Sequence, residues 1–220
     1  MNLTTFTPAS ALLTVIFLAL APFVAVMVTS FTKIVVSLSL LRNALGLQQT
    51  PPNVVINGLA LILTLYVMYP VGLQMQSAVQ TAPPSADANS DTGKMLAYAN
   101  AAKEPLRNFL IKHSSPRERT FFLKTAQKMI PADKARALTD RDFIVVTPAF
   151  TVGELTAAFQ IGFLIFLPFL VVDLVVANIL LALGMMMLSP TTVSLPFKLL
   201  LFVLIDGWVK LAHGLVLSYQ

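Results

Sequence analysis

Charged side chains are concentrated in one short part of this 220-residue chain, and the rest is almost without them. Residues 86–142, a stretch of 57, carry 18 of the 25 Asp, Glu, Lys and Arg residues, and the other 163 residues carry seven. Soluble domains have about 25% charged residues, whereas this chain has 11%. The pattern excludes a soluble enzyme, a disordered chain and a collagen-like chain. It predicts an integral membrane protein with one small polar insert.

Four apolar segments are long enough to be membrane helices. The first two are residues 11–31 and 54–71, and between them residues 31–50 are amphipathic and stop at a pair of prolines. The third, residues 155–188, would be about 51 Å long as one straight helix. It must therefore fold back, kink or leave the bilayer. The last helix is predicted over residues 195–217.

The chain is predicted to be all-α and to divide into three parts. Residues 1–80 form N-terminal membrane helices, residues 81–142 a polar, mainly helical insert, and residues 143–220 C-terminal membrane or pore-forming helices. Within the insert, Ser115 followed by Pro116 and Glu118 predicts a helix start. Proline and glycine interrupt apolar helices, and kinks are expected at Pro22, Pro168, Gly184 and Pro190.

The orientation follows from two basic residues. Lys33 and Arg42 lie between the first two apolar segments, and the positive-inside rule places such residues in the cytoplasm. The second span then leads outward, so the insert is expected in the periplasm of a bacterium, and the chain in its inner membrane among lipid. Residues 1–10 lack the basic residues of a secretory signal, so a retained first helix is the favoured interpretation and a cleaved signal peptide is the alternative.

The residue types needed for catalysis and cofactor binding are missing from the sequence. It has no cysteine, no glycine-rich phosphate loop and only two histidines, which are 100 residues apart. The basic residues of the insert alternate with acids and accompany no nucleic-acid motif. We therefore expect no enzyme activity, no cofactor or metal, and no nucleic-acid partner.

Five ionisable residues lie in or beside the apolar C-terminal segments: Glu154, Asp173, Lys198, Asp206 and Lys210. Each should face protein or water, because a charge facing lipid costs at least about 2.5–3.5 kcal/mol. Asp206 and Lys210 are spaced for an ion pair on one helix face. Structural contacts between helices or subunits are the favoured interpretation, and an ion or proton pathway is the alternative.

Three consecutive methionines, Met185, Met186 and Met187, form an unusual run. On a helix they would point in three directions and so would not form a one-sided core stripe. Methionine is unbranched and deformable, so it fills irregular gaps and repacks around a changing partner. From the residues alone, packing filler is the favoured interpretation of this run.

Several stretches at both ends of the chain resemble the FliP/SctR (YscR/HrcR) family of bacterial type III secretion. Among them are Leu41-Arg42-Asn43-Ala44-Leu45-Gly46, Phe159-Gln160-Ile161-Gly162-Phe163, Leu183-Gly184-Met185-Met186-Met187, Leu195-Pro196-Phe197-Lys198-Leu199 and Asp206-Gly207-Trp208. The matching regions are approximately residues 20–72 and 147–212. The insert is similar to that family's periplasmic segment only in position and size. The stretch Gly46-Leu47-Gln48-Gln49 is more similar to the injectisome branch than to the flagellar branch.

The resemblance implies a subunit of the export gate, the channel through which unfolded proteins cross the bacterial inner membrane. It implies five copies of this chain assembled with FliQ/SctS-like, FliR/SctT-like and FlhB/SctU-like subunits, in a conical assembly that rises largely above the membrane. By the same resemblance, Met185, Met186 and Met187 form a gasket at the narrowest part of the pore. The alternative is a four-span ion-coupled transporter or ion channel that uses Asp173, Asp206 and Lys210.

Overall fold

The computed structural model describes residues 8–47, 49–81 and 91–220 of the chain, which contain helices and turns and no strand. Gln48 and residues 1–7 and 82–90, which belong to the predicted N-terminal and insert parts, lie outside the described residues. The helices are α1 (Pro8–Met27), α2 (Phe31–Ala44), α3 (Asn53–Gln80), α4 (Asp91–Lys112), α5 (Pro116–Met129), α6 (Ala132–Ala135), α7 (Phe143–Ala182), α8 (Pro190–Leu204) and α9 (Gly207–Leu217). The all-α prediction is confirmed.

Two of the described helices, α3 and α7, are long and apolar enough to cross a membrane. The pair α8 and α9 adds a third candidate if it counts as one span bent by 59°. The predicted single helix over residues 195–217 is therefore wrong. It breaks at Asp206, whose backbone is left-handed (φ 52°), and Gly207 follows with no room for a side chain because the ring of Phe202 occupies that space.

Helix α7 is one continuous helix of 40 residues, about 60 Å long. It passes through Pro168 without ending, as α1 passes through Pro22. It ends where Gly184 adopts φ 75° and the amide of Met185 bonds the carbonyl of Leu180 at 2.9 Å, a left-handed glycine stop. Pro190 is the first residue of α8, where its missing amide donor costs nothing. Gly184 and Pro190 are thus helix ends rather than kinks.

Helices α7, α8 and α9 form an antiparallel hairpin with residues 183–189 at its tip. Asp173 contacts Lys198, the ring of Phe169 lies 6.4 Å from that of Phe202, and Glu154 contacts Tyr219. The residue numbers rise along α7 as they fall along α8 and α9, which defines the hairpin. The predicted third segment does not fold back within α7, which is continuous to Ala182, and the chain turns only in residues 183–189 at the end of that segment.

Helix α2 packs against α7 and forms the centre of the molecule. Its residues Ile34, Leu38 and Leu41 are buried against α3, α9 and the hairpin. The approach is close because a side chain at Gly162 would overlap that of Leu40. The amphipathic pattern of residues 31–50 thus indicates a helix, α2, whose apolar face is buried against other helices of the same chain.

The polar insert docks onto the membrane helices. Phe109 and Leu110 of α4 share a core with Val71 of α3 and with Val146 and Phe150 of α7. Helix α5 packs on α7 and has no buried residue of its own. Its start at Ser115 and Pro116 is as predicted, although the Ser115 side chain makes no capping hydrogen bond. The insert is therefore held mainly through α4.

Candidate functional site

The methionine run lies in the loop at the tip of the hairpin. The sequence interpretation that placed Met185, Met186 and Met187 on a helix is wrong, because Gly184 ends α7 just before them. Met185 is 47% exposed, Met186 is 81% exposed and Met187 is fully exposed. The flanking Leu183 and Leu188 are also exposed. The loop is therefore an apolar surface in which Met186 and Met187 are largely uncovered and Met185 is about half covered by the described part of the chain.

This position separates the loop from the insert. From Glu154, level with the insert, to the end of α7 is about 42 Å at 1.5 Å per residue. An exposed apolar patch at the end of a long rigid hairpin marks a contact with another molecule. Because the loop has no secondary structure of its own, its thioether side chains can rearrange without breaking a helix.

A buried ion pair joins the two arms of the hairpin below this loop. The Lys198 ammonium donates to Asp173 Oδ2 at 2.6 Å, and the Ser194 hydroxyl donates to Asp173 Oδ1 at 2.5 Å. Lys198 is 4% exposed, whereas the side chain of Asp173 is 23% exposed, so the lysine is buried and its partner is only partly buried. Both oxygens of the carboxylate have a donor, which is the condition for a buried charge to be tolerated. The pair fixes α8 against α7 near the tip.

A second buried group of side chains, Lys33, Glu154 and Tyr219, lies where α2, α4, α7 and the segment after α9 meet. The Lys33 ammonium is 3.5 Å from Glu154 Oε1 and 3.8 Å from the centre of the Tyr219 ring. The Tyr219 hydroxyl donates to Glu154 Oε2. Lys33 is only 5% exposed, so it is not the free cytoplasmic charge that the orientation argument assumed. Sequence reasoning missed Tyr219, because a tyrosine one residue from the chain end carries no local signal.

Arg42, in the last turn of α2, is the basic residue that contacts the connection between α2 and α3. Its guanidinium donates to Asn53 Oδ1 at 2.5 Å and to the Pro51 carbonyl at 3.3 Å. These contacts fix the turn that joins the two helices. Arg42 is therefore the basic residue that still supports the orientation argument.

The expected ion pair between Asp206 and Lys210 does not form. Asp206 directly precedes α9 with a left-handed backbone, the Lys210 amide bonds its carbonyl at 3.0 Å, and both side chains are exposed without contacting each other. Asp173 is already paired with Lys198. The three residues named for a transporter mechanism thus do not gather at one site, and no observation of the structure favours that alternative.

His113, at the end of α4, lies beside the second buried group. Its ring is 5.1 Å from that of Tyr219 and 4.7 Å from that of Phe109. Burial lowers the pKa of His113 to about 4, and the positive charges of Lys112 and Lys33 act in the same direction. The imidazole is therefore neutral at pH 7 and serves as an aromatic packing partner. In the residues that the structure describes, no three His, Asp or Glu side chains are grouped to hold a metal.

Comparison with known proteins identifies relatives over almost the whole chain. A family model described as the FliP family matches residues 12–215. The chain is 51% identical to the hypersensitivity response secretion protein HrcR of Ralstonia nicotianae over 214 residues, which cover 96% of this chain and 97% of the relative. It is 52% identical to the Yop proteins translocation protein R of Yersinia pestis over 202 residues, 92% of each chain. It is 45% identical to the virulence protein YscR of Salmonella typhimurium over 206 residues, covering 92% and 93%.

Proposed function

The chain belongs to the FliP family and is a subunit of the type III secretion export gate, and from this premise we propose that its methionine loop closes the gate. The observation that carries the proposal is the exposure of Met185, Met186 and Met187 at the tip of a rigid hairpin. In a ring of identical subunits, symmetry brings such tips together around one axis. Their side chains then form an apolar constriction that excludes water.

The size of the apolar surface supports assembly with other subunits. Large apolar side chains are exposed along α7 from Phe159 to Ile179 and continue through the tip to Leu204 of α8. Helix α7 is about twice as long as the roughly 30 Å core of a bilayer is thick. Lipid cannot cover all of this surface, so protein must cover part of it. We assign that role to five copies of the chain together with FliQ/SctS-like, FliR/SctT-like and FlhB/SctU-like subunits.

The role is one of conduction rather than catalysis. The relatives are named for secretion and translocation. Unfolded secreted proteins would pass between the tips, and the flexible thioether groups would part around side chains of different size. Asp206 and Lys210, both exposed, are available for contacts between subunits.

The gate lies in the bacterial inner membrane with the insert in the periplasm. Arg42, fixed at the opposite end of α2 from the insert, supports this orientation through the positive-inside rule. Tyr219 packs against Phe109 of α4, so the C-terminus lies on the same side as the insert. The methionine loop lies at the far end of the hairpin.

The chain has no natural cysteine, so single cysteines test both statements. Ser115→Cys should react with a membrane-impermeant maleimide in cells whose outer membrane is permeabilised. Met187→Cys should react in the isolated, detergent-extracted chain, where the loop is exposed, and be protected in the assembled idle gate. Labelling of Ser115→Cys only after inner-membrane rupture would contradict the orientation. Equal reaction of Met187→Cys in both samples would contradict closure by the loop.

A further inference from the structure

We propose that Tyr219 is a latch that holds the polar insert on the membrane helices. It is the second-to-last residue of the chain, yet only 8% of its surface is exposed. It reaches three elements at once, α2 through Lys33, α4 through Phe109 and His113, and α7 through Glu154. Tyr219 therefore joins the insert to two of the membrane helices.

The polar side of the latch satisfies a buried charge. Glu154 is 3% exposed, and its two oxygens take hydrogen bonds from Lys33 and from the Tyr219 hydroxyl. The Tyr219 ring also covers the Lys33 ammonium at 3.8 Å. Without Tyr219, one carboxylate oxygen loses its donor and the ammonium loses its aromatic cover. A buried charged group left without its partner is strongly destabilising, so water must enter the junction.

The apolar side of the latch holds α4. The ring of Tyr219 stacks on that of Phe109, 6.2 Å away at an angle of 16°, and Phe109 in turn packs 5.7 Å from the ring of Phe150 on α7. Pro105, Phe109 and Leu110 are the buried apolar residues of α4 in its described part. Helix α5 also contacts α7 but buries no residue of its own, so these residues of α4 are the main apolar anchors of the insert.

The hairpin does not depend on the latch in the same way. The contacts of α8 with α7 rest on Asp173, Lys198, Phe169 and Phe202, which lie far along α7 from Tyr219. Regions with few buried contacts open locally without unfolding the rest. Loss of the latch should therefore release the insert and leave the arms of the hairpin together.

Hydrogen–deuterium exchange of the full-length chain, extracted with its co-expressed partners, tests the latch. Tyr219→Ala should raise amide exchange in residues 98–112 about tenfold or more, with exchange in α8 unchanged. Tyr219→Phe keeps the ring and loses the hydroxyl, so it should give a smaller rise in the same segment. Leu217→Ala, at an exposed neighbour, is the matched control and should change neither segment.

Unchanged exchange of residues 98–112 in Tyr219→Ala would overturn the proposal. So would an equal rise in α4 and α8, because that result describes general destabilisation rather than release of the insert. If Tyr219→Ala does not accumulate in cells, Tyr219→Phe tests the proposal instead. Unchanged exchange in residues 98–112, or an equal rise there and in α8, would again overturn it.

Discussion

Replacing Met185, Met186 and Met187 together by alanine is expected to leave the gate assembled but permeable to small ions. The three side chains lie outside the core, so their truncation removes little packing within the chain. In the ring that we propose, it removes the apolar bulk that would keep water out of the constriction. Planar-bilayer conductance of the purified complex should rise several-fold over wild type, and cells that express the variant should grow poorly and take up small dyes.

Two further variants separate sealing from general effects of the substitution. Met129→Ala removes another exposed methionine, at the end of α5, and should leave conductance unchanged. Leucine is as bulky as methionine but stiffer. A gate with leucine at all three loop positions should therefore seal at least as well as wild type and export less protein. If the triple alanine variant assembles and shows no added conductance or dye uptake, the three methionines are not a gasket.

The second large effect is expected from Lys198→Ala. The substitution leaves the partly buried Asp173 carboxylate with Ser194 as its one donor in the described part of the chain. Breaking a fully buried ion pair by removing one partner costs about 3–5 kcal/mol, and the partial exposure of Asp173 places the cost here below that range, still a substantial part of the stability of a domain. The tip of the hairpin should then lose its position, and the chain should not enter the gate. Native mass measurement of the detergent-extracted complex should show five copies with their partners in wild type and no such complex in the variant.

A double variant with the two charges exchanged and a control substitution at an exposed lysine complete this experiment. Asp173→Lys combined with Lys198→Asp keeps opposite charges on the two arms and should recover part of the assembly that Lys198→Ala loses. Lys124→Ala, on the exposed face of α5, should assemble as wild type does. Normal assembly and secretion by Lys198→Ala would show that the ion pair does not hold the hairpin.

Much of the fold follows from patterns of the kind that sequence reasoning handles well. The charge distribution separates the insert from the apolar helices, because a charge that faces lipid is unfavourable at every position along a membrane helix. The start of α5 at Pro116 follows from local backbone chemistry alone. Gly184 and Pro190 were recognised as interruptions for the same reason. These features depend on residues near one another in the chain.

The details that sequence reasoning missed are backbone angles and side-chain contacts that periodicity and hydropathy do not encode. The break at Asp206 comes with a left-handed backbone at that residue and with the ring of Phe202 in the space beside Gly207. Pairing of Lys33 with Glu154 joins residues 121 apart in the chain, and no periodicity encodes it. The methionine run was assigned to a helix because hydropathy cannot show that a left-handed glycine precedes it.

The most direct measurement of the central claim is crosslinking of a secreted protein stalled inside the gate. A photoreactive amino acid at Met187 should crosslink to the stalled cargo, because the proposed function requires every translocating chain to pass between the tips. The same amino acid at Leu65, exposed on α3, should crosslink to other subunits or lipid and not to cargo. Strong cargo crosslinks at position 187 and none at position 65 are the predicted result. Absence of cargo crosslinks at position 187 while the cargo is demonstrably stalled would contradict the account.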